Sequence, residues 1–245
     1  MIEILKTVTP SPEQWEIVIE GMRNPMNSWA NIDSVADGEK IEVGDADKHR
    51  MIALAKGGPI HAKYRRMLPV HATINAPLYW WKEFETYRTG IAPNPTDIEL
   101  NSCSTMHKVT EKEFDLNDFS TDHLLPESIK GLQRTIDDLN YYRAMYFDYK
   151  SKKEGAIAKQ YWWQIIQTLP SSYNQRRTMF TNYETLSAMY YWRHDHKLDE
   201  WRNLCKWIET LPNSEIITVH EEIFLQEAAK EVAKSAAEDV MMPAT

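Results

Sequence analysis

The sequence predicts an α+β fold, helix-rich with a small mixed sheet, and three observations carry that expectation. Short alternating runs at both ends of the first third read as strands, the second half is mostly helical in its periodicity, and no composition break or sizeable repeat marks a domain boundary. The expectation is one domain over 1–245. Only two Tyr-Trp-Trp triplets, at 79–81 and 161–163, recur.

Each element has a local reason. Ile2, Ile4 and Lys6-Thr7-Val8 read as a strand stopped by Pro10 and Pro12. Ser11 suits an N-cap, with Pro12 at the first helical position and Gln14 completing a capping box, for a helix through Trp15, Ile17, Val18 and Met22. Residues 24–44 are rich in Asn, Asp, Ser and Gly and read as a loop, from which Asn24, Asn27 and Trp29 could reach a ligand or simply pack. A helix follows over 45–56, closed by Gly57-Gly58-Pro59. Val70, Ala72 and Ile74 alternate with His71 and Thr73, a half-buried strand. Ala76-Pro77 then opens a helix to about Arg88 whose Trp80, Phe84 and Tyr87 form one stripe, read first as core. Residues 91–100 are a Pro-broken loop. Helices are expected over about 127–150, 154–168, 173–194 and 197–210, then a strand at Glu215–Val219 and a last helix to about Val240.

Composition narrows the function. The chain has 28 Lys+Arg against 36 Asp+Glu, a net charge of −8, which argues against a bulk nucleic-acid binder. Only eight glycines occur, and no G-x-G-x-x-G, Walker A or G-x-S-x-G pattern is present, so a phosphate would have to be held by side chains. Nine Trp and twelve Tyr point to a large aromatic core or an aromatic ligand site. Cys103 and Cys205 are too few for a disulfide framework or a cysteine zinc site. No apolar run is long enough to span a bilayer and the N-terminus lacks a signal-peptide pattern, so a cytoplasmic protein without membrane partners is expected.

Several polar groupings invite a chemical reading. His194-Asp195-His196 lacks zinc-ligand spacing and suits a helix end, so no metal is expected. Asn101 to Thr105 offers hydroxyls and a thiol without a His and Asp pair placed to activate them. Arg176-Arg177 are adjacent and point apart, as on a solvated face. More specific is the stretch from Asn182 to Arg193. At helical spacing Asn182, Leu186, Met189 and Arg193 share one face, with polar ends about 16 Å apart. That suits a long planar ligand, or equally a core helix with capped ends.

These intervals resemble those of the flavin-dependent thymidylate synthase family, the thymidylate synthase complementing protein fold. His61 precedes Ala76-Pro77 by fifteen residues, Thr86-Tyr87-Arg88 occupies the slot of the family's Arg-His-Arg signature, and the segment Asn101 to His107 resembles its completion. Leu169-Pro170, Asn182, Leu186 and Arg193 follow at similar intervals, so the resemblance is strongest over 61–207. It implies a homotetramer with sites shared between chains, acting on a small-molecule pyrimidine nucleotide by methylene transfer and reduction through FAD, with reduced folate and NADPH as co-substrates. By this match Arg193 is the catalytic residue that contacts the pyrimidine edge. Ser104 and Arg88 hold the nucleotide with it, and His61, Asn182 and Arg88 hold the flavin. Thr86, Tyr87, Met106, Ile166 and Ala188 stand where the family has other polar residues, and Glu83 where it has a glutamine. Loss of the flavin arginine at Ile166 is the mark of a rival expectation, a non-catalytic protein that keeps the fold and binds or sequesters a nucleotide-like ligand without FAD.

Overall fold

A computed structural model describes residues 1–87 and 98–219. Arg88, most of the 91–100 loop and the expected last helix lie outside the described residues. Within the single domain expected over 1–245, the described residues cluster into two compact units: 1–7, 72–87 and 99–179 form the first, and 8–71, 98 and 180–219 the second. The architecture is α+β with a helical majority, as expected.

Most residues of a four-stranded sheet in the order β1-β4-β6-β5 fall in the first unit, with β1 at Glu3–Val8, β4 at Pro69–Pro77, β5 at Glu99–Ser102 and β6 at Asn174–Asn182. The central pair is antiparallel: the Leu78 N–H donates to the Tyr173 carbonyl, and the Thr73 and Thr178 hydroxyls meet at 3.0 Å. Helix α4 (Leu78–Phe84) follows β4 directly. Its Trp80 and Phe84, with Tyr87 beyond, are all buried, so the aromatic stripe is core. The Trp81 indole N–H donates to the Gln175 carbonyl at 2.8 Å, fastening α4 to β6. Helices α5 (Pro126–Ser151) and α6 (Gly155–Thr168) form an antiparallel hairpin. Leu132, Ile136 and Leu139 of α5 pack with Ile165 of α6 and with Val109, Phe114 and Phe119 in one apolar cluster. Those three α5 positions fall at i, i+4 and i+7, the face that helical periodicity selects.

In the second unit, helix α1 (Pro12–Arg23) starts with the expected capping box: the Gln14 N–H donates to Ser11 Oγ and the Ser11 N–H to Gln14 Oε1. Its buried stripe is Trp15, Val18, Ile19 and Met22, while Ile17 faces solvent. Each such side chain contributes about 1.5–3 kcal/mol on burial. Residues 24–44 hold more structure than a loop. Two single 3₁₀ turns precede a minimal antiparallel hairpin, β2 (Val35–Ala36) with β3 (Ile41–Glu42), turned at Asp37-Gly38. Gly38 takes φ +89° there, and Asp37 Oδ1 accepts from the Glu39 and Lys40 N–H groups. Gly38 is the first of the two central residues, Gly38-Glu39, where such a turn needs a positive φ that glycine adopts without steric cost.

Helix α2 (Asp45–Lys56) keeps its expected bounds, and a single turn, α3 (Lys63–Arg66), follows. The segment expected to be one helix over 173–194 instead divides into β6 and α7 (Tyr183–Arg193). A strand draws its stability from neighbours about a hundred residues away, which local periodicity does not register. Helix α8 (Asp199–Glu209) follows. Glu215–Val219, expected as a strand, forms the short helix α9 (Glu215–Thr218), whose buried Ile216 and Ile217 sit against α7 through the Ser187 hydroxyl on the Ile217 carbonyl.

Candidate functional site

The residues singled out in the sequence fall on distinct frameworks. In the second unit, Asn182 is the N-cap of α7: its Oδ1 accepts the Thr185 N–H at 2.9 Å, and the residue is buried. Leu186 and Met189 are fully buried below it, and Arg193 ends the helix. Of the two readings open for this stretch, the capped core helix describes its inner face. Beside the cap, Glu184 pairs with Arg65 of α3 at 3.4 Å, and Arg65 also donates to the Val219 carbonyl at 3.1 Å. A carboxylate in the first turn complements the helix dipole, and the ion pair offsets part of the cost of burying both charges.

The other end of α7 is the chemically more open one. The guanidinium of half-buried Arg193 lies 5.0 Å from the ring centroid of Trp201 on α8. A cation over an indole face is attracted by the ring quadrupole, and the contact orients the planar fork. One turn further along α8, burial pushes the Cys205 thiol up to about 12; Glu209 adds to this and the Arg193 charge opposes it. The thiol is therefore a neutral packing group. Trp201 lies eight residues beyond Arg193 on the next helix, and no local sequence signal joins them. His194-Asp195-His196 serves the helix end, since the His194 ring nitrogen lies 3.2 and 3.0 Å from the Tyr190 and Tyr191 carbonyls. Among the described residues no group of His, Cys, Asp and Glu is gathered to hold a metal.

His61, in the same unit, sits in the turn after Gly58, its N–H donating to the Gly58 carbonyl at 2.9 Å and its side chain exposed beside Gly57. Ser104 belongs to the first unit. It is exposed, and its Oγ accepts the His107 N–H at 3.0 Å in a tight turn. That turn is held on one side by the Cys103 N–H on the Arg176 carbonyl and on the other by the Trp162 indole on the Met106 carbonyl. Among the described residues no base stands beside the hydroxyl, so the segment presents Ser104 as a polar contact. Arg176 and Arg177 lie on a strand and so face opposite ways: Arg176 is exposed, while Arg177 stacks 4.7 Å over Trp81 and pairs with Glu85.

The structure thus brings Asn182 and Arg193 to the two ends of one helix, leaves Ser104 on the other unit, and does not describe Arg88. For a flavin the fit is poor. Asn182 is buried and engaged as a cap, Ile166 packs against the apolar cluster of α5 and α6, and among the described flavin-side residues His61 alone offers an exposed side chain.

No protein-family model matches the chain, and no curated protein does. Solved structures do. The flavin-dependent thymidylate synthase ThyX of Helicobacter pylori, complexed with FAD and dUMP, superimposes with a TM-score of 0.55 at 16% identity, covering 89% of this chain and 97% of that one. A second structure of that enzyme with FAD and dUMP gives 0.55 at 17% identity, over 89% and 96%. The UMP/dUMP methylase PolB of Streptomyces cacaoi, bound with 5-Br dUMP, gives 0.54 at 13% identity, over 90% and 95%. The fold is therefore that of the flavin-dependent thymidylate synthases, present along nearly the whole chain. At this identity the likeness establishes the fold, and the chemistry must be argued from the residues.

Proposed function

We propose that this chain is a divergent pyrimidine-nucleotide-modifying enzyme of the flavin-dependent thymidylate synthase type, with a dUMP- or UMP-like substrate. The observation that carries the reading is Arg193: a half-buried guanidinium held over Trp201 at the end of α7, in a fold whose solved examples carry dUMP or 5-Br dUMP. Placed at the edge of a pyrimidine, that cation favours the negative charge that builds on the ring when its carbon attacks an electrophile. Ser104 and Arg88 are the proposed nucleotide contacts. The reading includes assembly into a homotetramer, which light scattering tests, and a cytoplasmic location. No described helix is long and apolar enough to cross a membrane.

FAD, with reduced folate and NADPH as co-substrates, enters this proposal through the likeness in fold alone. A second reading, binding of a nucleotide without flavin or turnover, is favoured by the apolar packing of Ile166 and the engaged amide of Asn182.

Calorimetric titration of the purified protein with dUMP and UMP tests the shared part. Saturable binding that weakens about tenfold or more in Arg193→Met is expected, since a charge-assisted hydrogen bond contributes about 1.5–3 kcal/mol. Failure of both nucleotides to bind, or an Arg193→Met variant that binds as before, would sink it. An absorbance scan separates the two readings: flavin bands support the enzyme, and a colourless protein that binds dUMP or UMP supports the binder.

A further inference from the structure

The far half of the α5–α6 hairpin carries a groove that the nucleotide proposal does not use. It is open to solvent, offers about 350 Å³ and is lined by Tyr146 and Lys150 of α5 and by Gly155, Ala158, Lys159 and Trp162 of α6. Beyond Leu139 no α5 side chain is buried, so the ring-bearing residues here are not spent on a core. Gly155 and Ala158 give a floor without bulky side chains. The Trp162 indole N–H is held by the Met106 carbonyl at 3.1 Å, which fixes that wall. Tyr149 and Tyr161 stack nearby at 5.6 Å, bracing the hairpin.

The charges are arranged unevenly. Of the carboxylates at this tip, Asp148 pairs with Lys152 at 2.7 Å, and Glu154 acts on the same ammonium. Among the described residues Lys150 meets the Tyr146 hydroxyl at 3.3 Å and the rings of Tyr146 and Phe147 but no carboxylate, and Lys159 has no ion pair. Two lysines without carboxylate partners thus border an aromatic groove in a chain that has eight more acidic than basic residues. α6 also begins at the groove, at Gly155, with no side chain capping it, so its first-turn N–H groups add to the positive potential.

We propose that this groove binds a small planar aromatic anion, a ring bearing one phosphate or carboxylate, with the ring against Trp162 and Tyr146 and the anionic group between Lys150 and Lys159. The volume sits at the low end for ligand sites and suits one or two fused rings. Stacking supplies the apolar part of recognition and the lysines the charged part. The site is independent of the nucleotide reading.

The test is calorimetric titration of the full chain with 1-naphthyl phosphate, alongside inorganic phosphate and 1-naphthol. One saturable event per chain is expected, about tenfold or more tighter than for either fragment and weaker at higher salt. The double variant Lys150→Gln/Lys159→Gln alters only exposed side chains; it should keep the wild-type far-ultraviolet spectrum and bind about tenfold or more weakly. The Arg193→Met variant should bind like wild type. No saturable binding, equal binding of phosphate or naphthol alone, or an unchanged double variant would each overturn the proposal.

Discussion

Asp47 ties Arg23 and the 33–34 segment to α2 in the second unit, and its replacement by alanine should cost about 3–5 kcal/mol. The carboxylate is fully buried and collects five donor contacts. Arg23 approaches Oδ1 through Nε at 2.9 Å and through a terminal nitrogen at 2.7 Å. The Asp33 and Ser34 N–H groups approach Oδ2 at 3.1 Å each, and the Ser34 hydroxyl at 2.7 Å. Removing the acceptor strands a buried guanidinium, left among the described residues with its bond to the Asn31 carbonyl, and unties the 31–34 segment from α2. Against a total stability of about 5–15 kcal/mol this is a large fraction.

For a chain of this length each kcal/mol shifts Tm by about 2–4 °C, so Asp47→Ala should lower it by about 6–20 °C. Urea and thermal unfolding followed by far-ultraviolet circular dichroism would measure this. Asp47→Asn is the sharper control. It preserves shape, but turns one acceptor into a donor facing other donors, so it should cost nearly as much as alanine. The double variant Arg23→Met/Asp47→Leu should recover part of the loss, because the stranded charge is gone while the Asp33 and Ser34 donors remain unmet. A loss below about 1 kcal/mol for Asp47→Ala, or a neutral Asp47→Asn, would refute the view that this buried network holds the segment.

A Cβ on Gly44 would sit 2.6 Å from the Asp33 carbonyl oxygen and collide with the Asp33 carboxyl group. Gly44→Ala should therefore destabilise by about 1–3 kcal/mol, with Gly57→Ala, whose nearest neighbour is the exposed His61 ring at 3.2 Å, close to neutral; equal melting temperatures for the two variants would contradict this. Thiol labelling at pH 8 should modify Cys103 quickly and spare Cys205, which is buried and pushed up to about 12, until denaturant is added. Two fast thiols in the native protein would count against the packing of α8 described here.

The sequence by itself determined the elements whose causes are local. The Ser11–Gln14 capping box, the acidic first turn at Asp45 and Asp47, the Gly57-Gly58-Pro59 stop and the α5 stripe are each decided within about one turn of helix. The α+β class and the interval pattern from His61 to Trp207 were legible for the same reason, since spacing survives where residue identity drifts. Tertiary structure alone decided the rest. β6 is a strand because β4, about a hundred residues earlier, gives it a partner, and Glu215–Thr218 is a helical turn because Ser187 and the core around α7 hold it. The site depends on such long-range contacts even more. Trp201 beneath Arg193, Glu184 against Arg65, and the Trp162 indole on the Met106 carbonyl join residues from separate elements, and each is a contact that no periodicity or composition encodes.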